Sequence, residues 1–202
     1  MINTIIFDFG DVFINLNKAA LQQALLDLGI KSWSENLKQL NHSFEIGKIN
    51  QQEFLEGLSK EADVKDPILI KKAWNTILGD FPESRLEFLK GLKGKYKLIL
   101  LSNTDEIHIQ HFKENYGETF VRDFFECFDA ICFSFEMGLR KPDIAIYERV
   151  IEEQNLTPEK TLFVDDRKEN TDAAQLTHLQ TWNLIVGQED VIHLLSHKNF
   201  QL

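Results

Sequence analysis

Thr161-Leu162-Phe163-Val164 runs directly into Asp165-Asp166. The same habit recurs along the chain. Ile2 to Phe7 ends at Asp8, Lys97 to Leu101 at Ser102-Asn103, Ala130 to Phe133 at Ser134, and Trp182 to Val186 at Gly187. Short, near-continuous runs of branched and aromatic residues read as strands buried on both faces, which is the pattern of a parallel sheet. Helical spacing fills the gaps, as in Ile144, Ile146, Tyr147, Val150 and Ile151, or in Ala173, Ala174 and Leu176. Alternating strand and helix predicts an α/β fold with a Rossmann-like, doubly wound parallel sheet. Ligands of such sheets sit beyond the carboxyl ends of the strands, so the polar residues that close these runs are expected to share one crevice.

Residues 15–80 break the rhythm and hold no convincing strand. Leu21, Leu25 and Leu28 repeat at helical spacing up to Gly29, and Leu37, Leu40 and Phe44 repeat up to Gly47. Asn50-Gln51-Gln52-Glu53 reads as a capping box that opens a third helix carrying Phe54, Leu55 and Leu58. Asp66-Pro67 opens a fourth, with Ile70, Ala73, Trp74, Ile77 and Leu78. The expected organisation is a core of residues 1–14 and 81–202, with a four-helix unit, 15–80, inserted after the first strand. The chain has 202 residues, about 1.3 domains by length, which suits a core with a modest insertion.

Lys and Arg number 22 against 32 Asp and Glu, a formal charge of −10. That balance disfavours nucleic acid and anionic membranes as partners, because phosphate backbones are held by Lys and Arg. A small anionic substrate is not excluded, since it feels one cleft only. Cys127 and Cys132 are too few for a disulfide framework or a four-thiolate zinc site, and their apolar surroundings predict packed thiols. No apolar run reaches the roughly 18 residues of a membrane span, and the first residues lack the basic region of a signal peptide. A cytoplasmic location is the resulting expectation. Trp33, Trp74 and Trp182 read as packing residues, Trp74 being the best candidate to face a cleft.

Four polar clusters carry the chemistry, and each also has a plain structural reading. Asp8 follows a buried strand in Phe7-Asp8-Phe9-Gly10-Asp11, where an Asx turn is the alternative. Ser102 and Asn103 can donate to phosphoryl oxygens or cap the helix that begins near Asp105. Pro142 bars Lys141 from helical geometry and opens the next helix, leaving the ammonium free to enter a crevice or to sit in a solvated loop. Asp165-Asp166, with Asn170 nearby, suits a hard cation such as Mg²⁺, while Asp166 with Glu169 also reads as a capping box.

The order Asp, Ser, Lys, Asp-Asp at successive strand ends resembles the haloacid dehalogenase (HAD) superfamily, over essentially the whole chain. Leu101-Ser102-Asn103-Thr104, Gly138-Leu139-Arg140-Lys141-Pro142-Asp143 and Phe163-Val164-Asp165-Asp166 are similar to the branch of YihX-type sugar-phosphate phosphatases and the N-terminal phosphatase domain of soluble epoxide hydrolase. The resemblance implies a HAD-like core with a helical cap domain. It implies a Mg²⁺-dependent phosphatase for a small phosphorylated metabolite, a sugar phosphate among the candidates. Asp8 would be the nucleophile that becomes an aspartyl-phosphate. Mg²⁺ would be held by Asp8, the Gly10 carbonyl and Asp166, with Asp165 acting through water or only supporting the ligands. Ser102, Asn103 and Lys141 would bind and neutralise the phosphoryl oxygens, and Asn170 would orient the acidic pair. His42, Phe44, Glu45 and Trp74 are the cap candidates for substrate contact, each of which reads more readily as a helix-packing or turn residue. Monomer and homodimer remain equally compatible with the pattern.

One position departs from the family. Most of its phosphatases carry a second Asp two residues after the nucleophile, as general acid and base, and here that position is Gly10. Asp11 is a candidate substitute, although a shift of one residue turns its side chain elsewhere. A catalytically weak phospho-ligand-binding member is a second reading. Metal-independent 2-haloacid dehalogenases also lack the second Asp, but they do not need the acidic pair, so Asp165-Asp166 favours Mg²⁺ and phosphate. A phosphonatase would need a cap lysine, for which Lys48 and Lys60 have no supporting context.

Overall fold

A computed structural model describes residues 1–197 and 200. Five strands form one parallel sheet: β1 Thr4–Phe7, β2 Lys97–Ser102, β3 Ala130–Phe133, β4 Thr161–Asp165 and β5 Gln180–Asn183. Their spatial order is β3-β2-β1-β4-β5. The chain builds outward from β1 on one side, then crosses to build the other, so the topological switch point lies at β1. Both faces are covered, as the apolar runs require. Ile5, Phe7, Leu98, Leu100, Leu162 and Val164 pack into one cluster with Phe112 and Phe124. Their neighbours Ile6, Ile99, Leu101 and Phe163 point the other way, onto Tyr147 and Val150. The covering helices are α5 Glu83–Leu92, α6 Glu106–Phe125, α7 Ser134–Met137, α8 Ile144–Glu153 and α9 Lys168–Gln175.

Four helices separate β1 from α5: α1 Lys18–Asp27, α2 Glu35–Glu45, α3 Gln51–Glu61 and α4 Pro67–Asn75. The Asn50–Glu53 capping box forms as read, and Asp66 caps α4 with Pro67 in its first turn. The helices close on their own apolar cluster, where the Phe44 and Phe54 rings stack 4.2 Å apart and Trp74 meets Phe54 edge-on. Phe44 is thus a packing residue of this cluster.

Three element boundaries differ from expectation. Helix α4 stops at Asn75, so Ile77 and Leu78 leave the helical face. They pair instead with the segment that leaves β1. Asn17 N–H donates to Ile77 O at 2.7 Å, Gly79 N–H to Asn15 O at 2.8 Å, and Asn15 N–H to Asp80 O at 2.8 Å. The two connections run side by side as a short ladder, and a Cβ on Gly79 would stand 2.8 Å from the Asn15 carbonyl oxygen. Strand β5 spans Gln180–Asn183 rather than Trp182–Val186, because its last partner, Asp165, ends β4. Helix α8 opens at Ile144 under an Asp143 cap, and Pro142 lies before it.

The helical unit is pinned to the sheet by one buried cluster. Asp105 caps α6 through His108 N–H, and its Oδ2 accepts from Trp74 Nε1 at 3.0 Å. His108 Nδ1 lies 3.0 Å from the same carboxylate, and its Nε2 is 3.2 Å from the Trp74 carbonyl oxygen. Only the imidazolium donates from both nitrogens at once. Burial pushes His108 toward the neutral form, but the Asp105 charge and hydrogen bonds outweigh it, so its pKa rises above the ordinary 6.5. Burial likewise works against the Asp105 charge, and His108 outweighs it, lowering that pKa below 3.8.

The signs define a pH window. The His108 contribution is complete below pH 6.5 and is lost as pH rises through its higher folded value. The Asp105 contribution is present above 3.8 and is lost as pH falls through its lower folded value. His108→Gln is therefore expected to cost most stability below pH 6.5, with the gap to the wild type narrowing at alkaline pH. Urea unfolding of both proteins on either side of that value measures it.

Candidate active site

The register of the sheet assembles the polar ends. Phe7 stands opposite Leu100 and Val164, so Asp8 and Asp165 emerge side by side, and Asp8 N–H donates to Val164 O at 2.9 Å. One carboxylate oxygen each from Asp8, Asp165 and Asp166 lies within 4.8 Å of the others. Lys141 enters from the loop before α8 and is 1% exposed. Its Nζ reaches Asp8 Oδ1 at 2.8 Å, Asp165 Oδ2 at 2.7 Å and the Leu101 carbonyl oxygen at 2.8 Å. Asp8 and Lys141 are therefore a buried pair, not an Asx turn or a solvated loop.

The two adjacent aspartates have different surroundings. Asp165 is fully engaged: Lys141 holds one oxygen, Arg167 N–H donates to the other at 2.8 Å, and Asn170 Nδ2 reaches both at 2.9 and 3.1 Å. Tyr147 in turn donates to the Asn170 carbonyl. Asp166 has a looser environment, with Lys18 of α1 at 3.8 Å. The capping-box reading of Asp166 with Glu169 fails, since α9 starts after Arg167, which pairs with Glu169. Asp165 is thus held in place on both oxygens, and Asp166 is the less engaged of the two.

Ser102 closes β2, nearly buried, on the wall of the same cavity. Neither it nor Asn103 caps α6, a task that falls to Asp105. The Asn103 side chain is locked to the Lys141 backbone, donating to its carbonyl at 2.7 Å and accepting from its N–H at 2.9 Å. Its amide therefore holds the Lys141 loop in place. This reciprocal pair was invisible in the sequence, where the two residues are far apart. Ser134 adds a second staple by exchanging hydrogen bonds with the Thr104 backbone.

Gly10 and Asp11 also have definite places. A Cβ on Gly10 would meet Leu16 Cδ1 at 2.9 Å, the movable end of a side chain in the hinge, the paired connections of residues 15–17 and 77–80. Asp11 adopts φ 56° and turns away. Its carboxylate accepts from Leu16 N–H and from Lys18 Nζ, both at 2.8 Å. It ties the β1 loop to the hinge and is not placed as a proton donor. Lys18, on the polar face of α1, had no motif to mark it.

Burial raises the Asp8 carboxyl to about 7, since Lys141 lowers it less than burial and the neighbouring acids raise it. Burial and Asp165 raise Asp166 to about 6, against Lys18. Three carboxylates around one buried ammonium leave the cluster short of positive charge. That deficit and the all-oxygen donor set fit a hard divalent cation. A cavity of about 670 Å³ opens over the cluster, walled on its far side by the helical unit. Glu45 and Trp74 line it. His42 instead contacts Arg140, whose NH1 also pairs with Glu45 at 3.0 Å. Trp33, read as a packing residue, is 37% exposed, lines the cavity and stacks on Trp74 at 6.1 Å. Lys48 and Lys60 do not line it. Cys127 and Cys132 are both free and buried. No helix among the described residues is long and apolar enough to cross a membrane.

Several known proteins are similar to this chain. D-ribitol-5-phosphate phosphatase of Bacteroides thetaiotaomicron is 26% identical over 179 residues, 84% of this chain and 85% of its own length. Sesquiterpene phosphatase astK of Aspergillus oryzae is 30% identical over 173 residues, 84% of this chain and 83% of its own. A HAD-family enzyme of B. thetaiotaomicron, solved as a magnesium complex, has a TM-score of 0.88 at 31% identity, covering 97% of this chain and 99% of that one. The wild-type form of that enzyme, with magnesium and inorganic phosphate, scores 0.83 at 30% identity over 96% and 99%. The family model of haloacid dehalogenase-like hydrolases matches residues 2–176, and the chain belongs to that family of hydrolases.

Proposed function

We propose that this hydrolase is a Mg²⁺-dependent phosphatase of small phosphate monoesters, with residues 15–80 as a cap over a core of 1–14 and 81–202. The observation that carries the reading is the fully buried Lys141 ammonium shared by Asp8 and Asp165 at the floor of the cavity. Magnesium and phosphate in the complexes of the related enzyme support it.

Asp8 is the nucleophile. Its carboxylate oxygen attacks phosphorus in line, the P–O bond to the leaving group breaks, and an aspartyl-phosphate forms; water then attacks phosphorus and returns the carboxylate. Ser102 and the backbone amides of its loop donate to the phosphoryl oxygens, and Lys141 neutralises charge on them. Asn103 acts through the Lys141 backbone, and Asn170 through Asp165. Mg²⁺ would be held by Asp8, Asp166 and the Gly10 carbonyl, with Asp165 fixing Lys141 beside them, and would offset the charge spread over the transferring oxygens. The leaving-group proton comes from water or another group of the cavity, because Gly10 has no acid to give and Asp11 is engaged at the hinge.

The relatives' names leave the leaving group open, since one specifies ribitol 5-phosphate and the other a sesquiterpene. The test is phosphate release from a panel of monoesters with and without Mg²⁺. Release should require Mg²⁺ and fall at least about 10³-fold in Asp8→Asn, which removes the covalent step. Metal-independent halide release from 2-haloacids would overturn the reading, as would Mg²⁺-dependent binding of phosphate mimics without turnover. Gly10→Asp should raise turnover, because the new Cβ meets only the movable end of the Leu16 side chain. Combined with Leu16→Ala it should raise turnover above that of the single variant, toward the roughly 10²-fold gain of a general acid. Steady-state rates of the two variants measure the difference.

A further inference from the structure

The cavity has two unlike ends. Its floor holds Asp8, Ser102, Lys141 and Asp166. Its opposite wall comes from the hinge, α1 and the loop before α2, and is largely aliphatic and aromatic. Leu16, Leu21, Leu26, Trp33, Ile77 and Leu78 line it, and none of the six is buried. Leu26 is 41% exposed and Trp33 37%. Large apolar side chains left uncovered around one enclosure gain by covering an apolar ligand.

The polar groups on the same wall do not offset this. The Arg140 guanidinium approaches Glu45 Oε2 at 3.0 Å, an ion-pair distance without hydrogen-bond geometry. Glu45 Oε2 and Asn41 Oδ1 both lack a donor, yet both atoms are fully buried and so out of reach of a ligand hydroxyl. Gln22, Lys31 and Ser32 sit at exposed positions around the opening. A polyhydroxylated chain laid against Leu21, Leu26 and Trp33 would lose water for few partners there, whereas an alkyl chain would lose nothing polar. The volume of about 670 Å³ lies inside the range of roughly 300–1,000 Å³ for sites that enclose drug-sized ligands.

We propose that the substrate is the phosphate monoester of an apolar alcohol of several carbons, its chain seated against Leu21, Leu26 and Trp33 and its phosphate on the Asp8 floor. This rests on the phosphatase reading and names its substrate class. Leu21, Leu26 and Trp33 are then the residues that set specificity.

The experiment measures kcat/KM for straight-chain alkyl phosphates of increasing length and for polyol phosphates of the same carbon count, in Mg²⁺. Each added methylene should raise kcat/KM about fourfold over the first several carbons, the gain from burying one methylene. Each alkyl ester should exceed its polyol counterpart. Trp33→Ala and Leu26→Ser, both at exposed positions, should flatten the dependence on chain length, and Leu21→Gln should do the same from the middle of the wall. A flat or falling dependence, or polyol esters preferred by wild type, would overturn the inference while leaving an Asp8-dependent phosphatase in place. Absence of Mg²⁺- and Asp8-dependent release from every ester would overturn both.

Discussion

The ammonium of Lys141 is the constraint on which the site depends. A charge this deeply buried is tolerable only with partners, and Lys141 has three, from three different strand ends. The ammonium holds Asp8 and Asp165 together, and it is itself held through its own backbone by Asn103. Each of these groups reaches the site only because the parallel register sets the strand ends level. The same cluster is underneutralised, which is why burial and mutual repulsion raise Asp8 and Asp166. A site built this way favours a divalent cation and an anion together over either alone.

Much of this was legible in the residues. Runs such as Ile2 to Phe7 and Thr161 to Val164 are too apolar for a half-exposed sheet, and their polar ends place Asp8 and Asp165-Asp166 at one edge. The helical unit followed from the spacing of its leucines and from Asn50-Gln51-Gln52-Glu53. What could not be read were partnerships between distant segments. Nothing local to Asn103 says that its amide will grip Lys141. Nothing near Asp11 says that it will hold the hinge, or that Leu16 will fill the space beside Gly10. Ile77 and Leu78 continued a helical stripe in sequence, but backbone pairing with the outgoing connection drew them out of it. Trp33 looked like core and proved to be wall, because composition does not say which side of a helix pair faces a cavity.

The connection between the two parts is also physical. Asp105 follows Ser102, Asn103 and Thr104 directly, and its carboxylate grips Trp74 and His108 behind the cavity wall. Asp11 and Lys18 link the β1 loop to α1. Motion of the helical unit would therefore bear on the loops proposed to hold phosphate, as a cap closing over its substrate requires.

The central claim is that Asp8 itself carries the phosphoryl group. Rapid acid quench of the enzyme during turnover, followed by mass analysis of the peptide containing Asp8, tests it directly. The account predicts one added phosphoryl group on that peptide, confined to Asp8 and absent in Asp8→Asn. Steady phosphate release with the Asp8 peptide never modified at any quench time would contradict it and would point to direct attack by water.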